Sequence, residues 1–448
     1  MKKVTFLDFS NPLPKRSGGG ATLHIGALYI VAALEKKGLE VDYRDYQTSK
    51  FCDSLKVGDM VEFATAPSDV VLVSCMAYML PLVVLFSERF KELFPDKTLI
   101  LGGPGPAGVA EDLVNSFSSI DYVIRGEGED TLPMLVETLS ANVDHPITIP
   151  GTVYKADRLY SNPPVRIENL DELPLPAYHA VDMSQYSTFG IITGRGCVYR
   201  CKFCDVHGLW GDQYRRRSIS KVLDEIELLV KKYGVKRFDI WDDTFIVNRK
   251  RVIEFIKGIH ERQLKVHWNC FGRVNLIDEE LLQMMSQAGC DEIFYGIESG
   301  SQSVLNKIDK QINFQDVNRV IMMTLKYVRV SAHLIWGFPF EDYNDFFRTI
   351  YMYNYLKGKM RIGLGQLWPY PTSPLYIDYG GDVITNNDQR EFYKILPFPT
   401  SGTEDEILIH NLVDKYPHIF TQYTIFKDER YENKKQIMDR LVLLCDEK

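Results

Sequence analysis

Apolar residues in the first 140 positions alternate between two rhythms. Short unbroken runs, VTFLDF (4–9), VVLVS (70–74), TLILGG (98–103) and DYVI (121–124), predict strands buried on both faces. Between them, ATLHIGALYIVAALEKKG (21–38) and LPLVVLFSERFKELF (80–94) are apolar at helical spacing, and further helices are predicted near 109–117 and from Thr131. This alternation predicts a parallel, doubly wound α/β sheet. Ligands of such sheets sit beyond the carboxyl ends of the strands. Those ends carry SGGG (17–20), SCMA (74–77), GGPGPAG (102–108) and RGEGE (125–129), small residues that let a ligand approach the backbone.

Pro146, Pro150, Pro163, Pro164, Pro174 and Pro176 then break up any long element, and 144–189 reads as a linker with room for a hairpin. A second alternation starts at Gly190. Strand-like runs near 190–193, 237–241, 266–271, 293–297, 327–336 and 362–368 enclose helical patterns such as SISKVLDEIELLVKKYG and DEELLQMMSQAGC. Six strand–helix units predict a partial (β/α)6 barrel. The expected organisation is a Rossmann-like domain over 1–143, the linker over 144–189, the barrel over 190–370 and a small α-rich capping region over 371–448.

Composition narrows the function classes. The chain has 448 residues, 45% hydrophobic and 25% charged, enough for more than one core. Net charge is -8 and the densest cationic stretch is Arg215, Arg216 and Arg217, which speaks against nucleic-acid binding. Neither a signal-peptide core nor a run of about eighteen apolar residues is present, so a cytoplasmic protein without a membrane span is expected. Thiols stay reduced in that compartment, and clustered cysteines there point to metal or catalysis.

Three of the eight cysteines, Cys197, Cys201 and Cys204, fall in GRGCVYRCKFCD (194–205), straight after the first barrel strand. Cys52, Cys75, Cys270, Cys290 and Cys445 are isolated, so no second cysteine pair completes a zinc site; His207 is the one nearby candidate for a fourth zinc ligand. Three thiolates can instead hold three irons of a 4Fe–4S cluster, leaving the fourth iron open.

The C-x3-C-x2-C spacing, with Phe203 before the last cysteine, resembles the radical S-adenosylmethionine superfamily. The resemblance implies that the open iron chelates S-adenosylmethionine, whose reductive cleavage gives a 5′-deoxyadenosyl radical. It also implies cofactor contacts from Phe203, from Asp242 and Asp243 in DIWDDTF (239–245), from Arg273 in WNCFGRVN (268–275), and from Glu298 and Ser299 in FYGIESGSQ (294–302). The second reading of Asp242 and Asp243 is as capping residues of the segment after Thr244, and Glu298 and Ser299 read equally as structural partners in the barrel mouth. Arg216, Arg217 and Glu225 read as surface charges. His333 and Trp336 point either into the barrel or toward its outer helices, so His333 is a candidate substrate contact.

In the first half, IGALYIVAALEKKGLEV, DVVLVSCMAYM, LILGGPGP and DYVIRGEGE resemble, in order, the cobalamin-binding domain of cobalamin-dependent radical S-adenosylmethionine enzymes. That resemblance assigns cobalamin contacts to Ser17, Gly18, Gly19, Ser74, Cys75, Gly102, Gly103, Pro104, Gly126, Glu127 and Gly128. The D-x-H-x-x-G motif that supplies a cobalt ligand elsewhere is absent, and His24 in LHIG reads as a helix-start or core histidine. The implied function is methyl transfer to an unactivated carbon of a natural-product, peptide or tetrapyrrole-type substrate. Cyclisation, rearrangement, or a radical enzyme with a degenerate cobalamin domain are the alternatives. A small-molecule or peptide substrate and an electron donor such as flavodoxin or ferredoxin are the implied partners.

Overall fold

The computed structural model describes residues 3–10, 20–52, 55–141, 146–386 and 404–446. The chain divides into two compact units. The first takes in 1–190, 206–218 and 385–423; the second takes in 191–205, 219–384 and 424–448.

At the centre of the first unit lies β1 (Lys3–Asp8), flanked by β2 (Glu40–Asp45) and β3 (Val70–Ser74). Beyond β3 follow β4 (Thr98–Gly102), β5 (Tyr122–Ile124), β6 (Thr152–Lys155) and β7 (Leu159–Ser161), giving the order β2-β1-β3-β4-β5-β6-β7. Pairing is parallel as far as β5 and antiparallel from there on. The expected strands hold because β1 and β3 bury nearly every side chain. On one face Leu72 and Ile100 pack with Val31 and Leu34 of α1 (Ile25–Lys36) and Leu135 of α3 (Gly128–Ser140). On the other, Val71 and Leu101 pack with Val83, Phe86 and Phe90 of α2 (Leu80–Leu93).

One strand is added here and one expectation corrected. EVDYRD (40–45), unread in the sequence, is the edge strand β2; its mostly half-buried positions explain its polar character. The segment expected as a linker supplies the β6–β7 hairpin and belongs to the first unit, so the sheet is mixed rather than purely parallel.

In the second unit β8 (Gly190–Ile191), β9 (Arg237–Ile240), β10 (His267–Gly272), β11 (Cys290–Glu298), β12 (Arg329–Trp336) and β13 (Arg361–Gln366) neighbour one another in chain order. Pairing from β9 to β13 is parallel, as six strand–helix units require. Alternation sets the faces. On β12, Val330, Ala332, Leu334 and Trp336 are buried on one face, and Ser331, also buried, alternates with them together with the half-buried His333 and Ile335. Side chains of Asn248, Asp278, Asn313 and Asp342 accept backbone N–H groups and so start the helices Arg249–Glu261, Glu279–Gln287, Phe314–Thr324 and Tyr343–Lys357. The stretch expected as one capping region is divided: helix Glu404–Lys415 lies in the first unit and helix Tyr431–Asp446 in the second. No described helix is long and apolar enough to cross a membrane.

Candidate functional site

The cysteine loop leaves β8 through Thr193 and Gly194 and turns at Gly196, whose φ of +89° favours glycine. Asp242, just past β9, holds that exit. Its Oδ1 accepts the backbone N–H groups of Thr193 at 2.6 Å and Gly194 at 3.0 Å, and the Thr193 hydroxyl donates to Oδ2. Arg251 donates Nη2 to the Thr193 carbonyl at 3.0 Å. Burial pushes the Asp242 carboxyl up to about 6, against the Thr193 and Gly194 hydrogen bonds and the Arg251 charge.

The loop is docked at both ends of the trio. Cys197 Sγ lies 3.7 Å from Thr244 Oγ1. Lys202 donates its N–H to the Ile308 carbonyl at 2.9 Å, and its own carbonyl accepts from Leu375 N at 2.7 Å. Arg273, buried, stacks on Tyr199 with 3.6 Å between guanidinium carbon and ring centroid. Its Nη1 is 3.6 Å from Cys201 Sγ, its Nη2 donates to the Lys310 carbonyl, and Lys310 Nζ donates to Glu298 Oε1 at 2.7 Å. Glu298 has φ +70°, an outlier for a non-glycine residue, and its carboxylate folds back over Gly296, where a Cβ would stand 2.3 Å from Oε1.

None of the trio is in a disulfide. Among the described residues no three His, Cys, Asp or Glu side chains converge as a single-ion site. A four-iron cluster takes one thiolate per iron, and the three cysteines of this loop could serve three of its irons. Two features fit such a group. The buried Arg273 guanidinium lies beside Cys201 Sγ, and its Nε is buried with no partner among the described residues.

The other expected contacts divide. Phe203 meets Phe338 edge-on at 6.3 Å and lies 5.9 Å from Lys310 Nζ. Asp243 is exposed and its carbonyl accepts the Thr244 hydroxyl at 2.6 Å. Neither aspartate caps a helix; Asp242 is the anchor of the cysteine loop. Ser299 is fully buried, with Oγ 3.0 Å from Thr349 Oγ1 and accepting Ser301 N. Of the charges read as surface, only Arg216 is exposed; Arg217 and Glu225 are buried. Lys310, Tyr199, Thr193 and Arg251 went unread, because their roles arise from contacts distant in sequence.

At the carboxyl edge of the first sheet the expected loops are filled largely by the chain itself. Ser17, Gly18 and Gly19 lie outside the described residues. Gly103, φ +91°, has Cys75 O and Ser74 Oγ each 3.0 Å from where a Cβ would stand. Buried Cys75 donates its N–H to Gly102 O, and the turn at Pro104 leads into Gly105, which donates its N–H to Cys75 O at 3.0 Å. Gly126 gives way to Pro164 and Arg166, and Gly128 to Ile30. Glu127, expected at the corrin edge, is instead buried against Arg215 and accepts Ile167 N at 2.9 Å.

The same edge holds a polar cluster that was not foreseen. Buried Asp8 accepts from Tyr43 OH at 2.8 Å and from Ser10 N at 2.9 Å, and its Oδ2 is 2.8 Å from His24 Nδ1. Burial alone would lower the His24 imidazole, but the Asp8 carboxylate overrides it and raises it. His24 engages Asp8 through Nδ1, and its side chain is 24% exposed.

Comparison with known proteins agrees with this division. Residues 191–351 match the radical SAM superfamily and residues 16–136 match the B12 binding domain. An uncharacterised methyltransferase of Pyrococcus horikoshii is 34% identical over 260 residues, 56% of either chain. The anaerobic magnesium-protoporphyrin IX monomethyl ester cyclase of Rubrivivax gelatinosus is 27% identical over 371 residues, 78% of this chain and 65% of that protein. The chain thus matches between about half and two thirds of these relatives' length. In fold it is similar to the radical S-adenosylmethionine methyltransferase TsrM of Kitasatospora setae, with TM-score 0.70 and 18% identity, covering 87% of this chain and 79% of that one. With both domains present in one polypeptide, the chain belongs to the radical SAM proteins that carry a B12-binding domain.

Proposed function

We propose that the chain is a cobalamin-dependent radical S-adenosylmethionine methyltransferase acting on an unactivated carbon. The observation that carries the reading is the trio Cys197, Cys201 and Cys204 on a loop anchored by Asp242 and Arg273, in a chain that also matches the B12 binding domain. Bound together, the cluster, S-adenosylmethionine and cobalamin supply a carbon-centred oxidant and a methyl group.

The chain's own part is to bind and orient. Cys197, Cys201 and Cys204 would each ligate one iron. The unpartnered Nε of Arg273 is a donor for the carboxylate of S-adenosylmethionine, and Phe203 borders the same loop. Glu298 is already paired with Lys310 and serves through that pair, fixing the carbonyl that Arg273 holds. In the first unit Ser74 and the Asp8–His24 pair are the polar groups at the sheet edge that would face cobalamin. Electrons would come from a small carrier such as flavodoxin or ferredoxin. The cyclase relative supports the alternative of ring closure with the same cofactors.

Metal analysis of anaerobically purified protein reconstituted with iron, sulfide and hydroxocobalamin tests the reading. About four irons and about one cobalt per chain are expected. A triple Cys197, Cys201 and Cys204→Ala variant should lose the iron and keep the cobalt. Iron retained in that variant, or cobalt lost on gel filtration of the parent, overturns the corresponding half. With substrate supplied, methyl transfer is expected to give S-adenosylhomocysteine and 5′-deoxyadenosine in equal amounts; 5′-deoxyadenosine alone favours cyclisation.

A further inference from the structure

Below the cysteine loop, the inner faces of the second unit's strands carry a second group of polar side chains. Register sets Phe271, Phe294, Ser331 and Arg361 side by side across β10 to β13. Two residues further along the strands comes a row of Gly296, His333 and Gly363. Apart from Gly296, all of these line one cavity of about 410 Å³.

Three polar groups in that cavity are unengaged. Ser331 is buried, yet its hydroxyl, the His333 imidazole and the Arg361 guanidinium have no hydrogen-bond or ion-pair partner among the described residues. Asn269, in the same wall, donates Nδ2 to Asp239 at 2.7 Å but leaves its buried Oδ1 unpartnered. Arg361 is exposed and His333 half-buried, but Ser331 and the Asn269 Oδ1 are withdrawn from bulk water, where polar groups are nearly always hydrogen-bonded, so these two call for a ligand. The apolar part of the wall includes Phe271 and Phe294, whose rings meet edge-on at 5.2 Å, and the carboxylates of the wall are Asp239, held by Asn269, and Glu292, 3.4 Å from Arg329.

We propose that this lumen seats the substrate and takes an aromatic carboxylic acid, its carboxylate at Arg361 and Ser331, its ring on the Phe271–Phe294 pair, and His333 contacting the end nearest the cysteine loop. Arg361 offers a planar fork that matches a carboxylate, and Ser331 adds a neutral donor beside it. Two residues along a strand span about 7 Å, the length of a fused bicyclic ring between the Arg361 row and the His333 row. Glycines make room for the imidazole. A Cβ at Gly363 or Gly365 would stand 2.6 or 2.7 Å from the His333 ring, closer than real contacts allow. Burial also holds this imidazole below its ordinary value, against the pull of Glu298, so at pH 7 it is a neutral group that does not compete for the carboxylate.

The proposal rests on the reading of the second unit as the radical domain, but its test needs no turnover. 2-Naphthoate and the uncharged 2-naphthamide are titrated by calorimetry into the anaerobically purified full-length protein, with iron content and melting temperature as controls. The acid should bind about tenfold more tightly than the amide. Arg361→Gln should abolish that preference and leave the amide unchanged. Gly363→Ala should weaken both by about tenfold, and His333→Ala should weaken both if the glycine variant does not fold. Equal binding of acid and amide by the parent, no binding of either, or a preference that survives Arg361→Gln overturns the proposal. Because iron is measured in the same samples, loss of probe binding with iron retained counts against the lumen and not against the cluster.

Discussion

A carboxylate buried as deeply as Asp242 is expensive to keep charged, and three donors from one short loop are what hold it there. Its folded value, raised to about 6 from 3.8, fixes the sign of its effect on stability. The contribution is fully present below the unfolded value and is lost as pH rises through about 6. Asp242→Asn keeps an oxygen for the two backbone N–H groups, and the Thr193 hydroxyl can turn to accept. Thermal melts should therefore show the variant close to the parent at pH 4 and more stable at pH 8, by at most about 3 kcal/mol. Asp242→Ala leaves two buried N–H groups unmet, costs about 1–3 kcal/mol for each, and should release the iron. If the alanine variant binds iron as the parent does, Asp242 is not the anchor of the loop. The sequence made the trio readable because its three thiols are local. It hid the purpose of Asp242, because the Thr193 and Gly194 groups that use it lie some fifty residues away.

Among the elements of the first unit, the fully buried central strands were legible and the half-buried edge strand was obscure. VVLVS was readable for that reason, and EVDYRD was not. The six inner strands of the second unit could be read from spacing, while their inner-face rows needed register, which no local pattern carries. The last helix, Tyr431–Asp446, was also obscure, because part of what fixes it is ionic. Lys434, with no exposed surface, donates to the Glu341 carbonyl at 2.7 Å and to Asp428 Oδ2 at 3.0 Å, and lies 3.3 Å from Glu341 Oε2. Burial pushes the Glu341 carboxyl up to about 7, against the Lys434 charge and the Gly337 hydrogen bond. Removing the lysine leaves the buried Glu341 carboxyl without its cation, while Asp428 keeps Arg430 at 2.9 Å. Lys434→Ala should cost about 3–5 kcal/mol in thermal or denaturant unfolding, and adding Glu341→Gln should recover part of it. Equal stability of Lys434→Ala and parent would mean that the helix is held by its apolar contacts with Trp336, Phe346 and Ile425 alone.

For the whole molecule, the sequence correctly implied two α/β bodies and misassigned what the last eighty residues do. Their pattern is weak because the chain there serves two cores in turn. Ile409, Val413, Ile419, Phe420 and Tyr423 join the first unit's core beside Phe117, whose ring lies 6.3 Å from that of Phe420. Tyr423 also donates its hydroxyl to the Tyr78 carbonyl, in the loop after β3. A segment so far along the chain therefore closes a sheet whose strands lie in the first 161 residues. Phe420 is 1% exposed, and truncating a buried phenylalanine to alanine removes its transfer free energy and leaves a void, about 3–5 kcal/mol together. Phe420→Ala should accordingly lower the unfolding temperature and speed proteolysis of the first unit. Iron bound through the cysteine trio belongs to the second unit and should be retained at the parent's level. A variant that lost iron and cobalt in parallel would show that the two bodies unfold as one, whereas loss of cobalt alone is the outcome this division of the chain predicts.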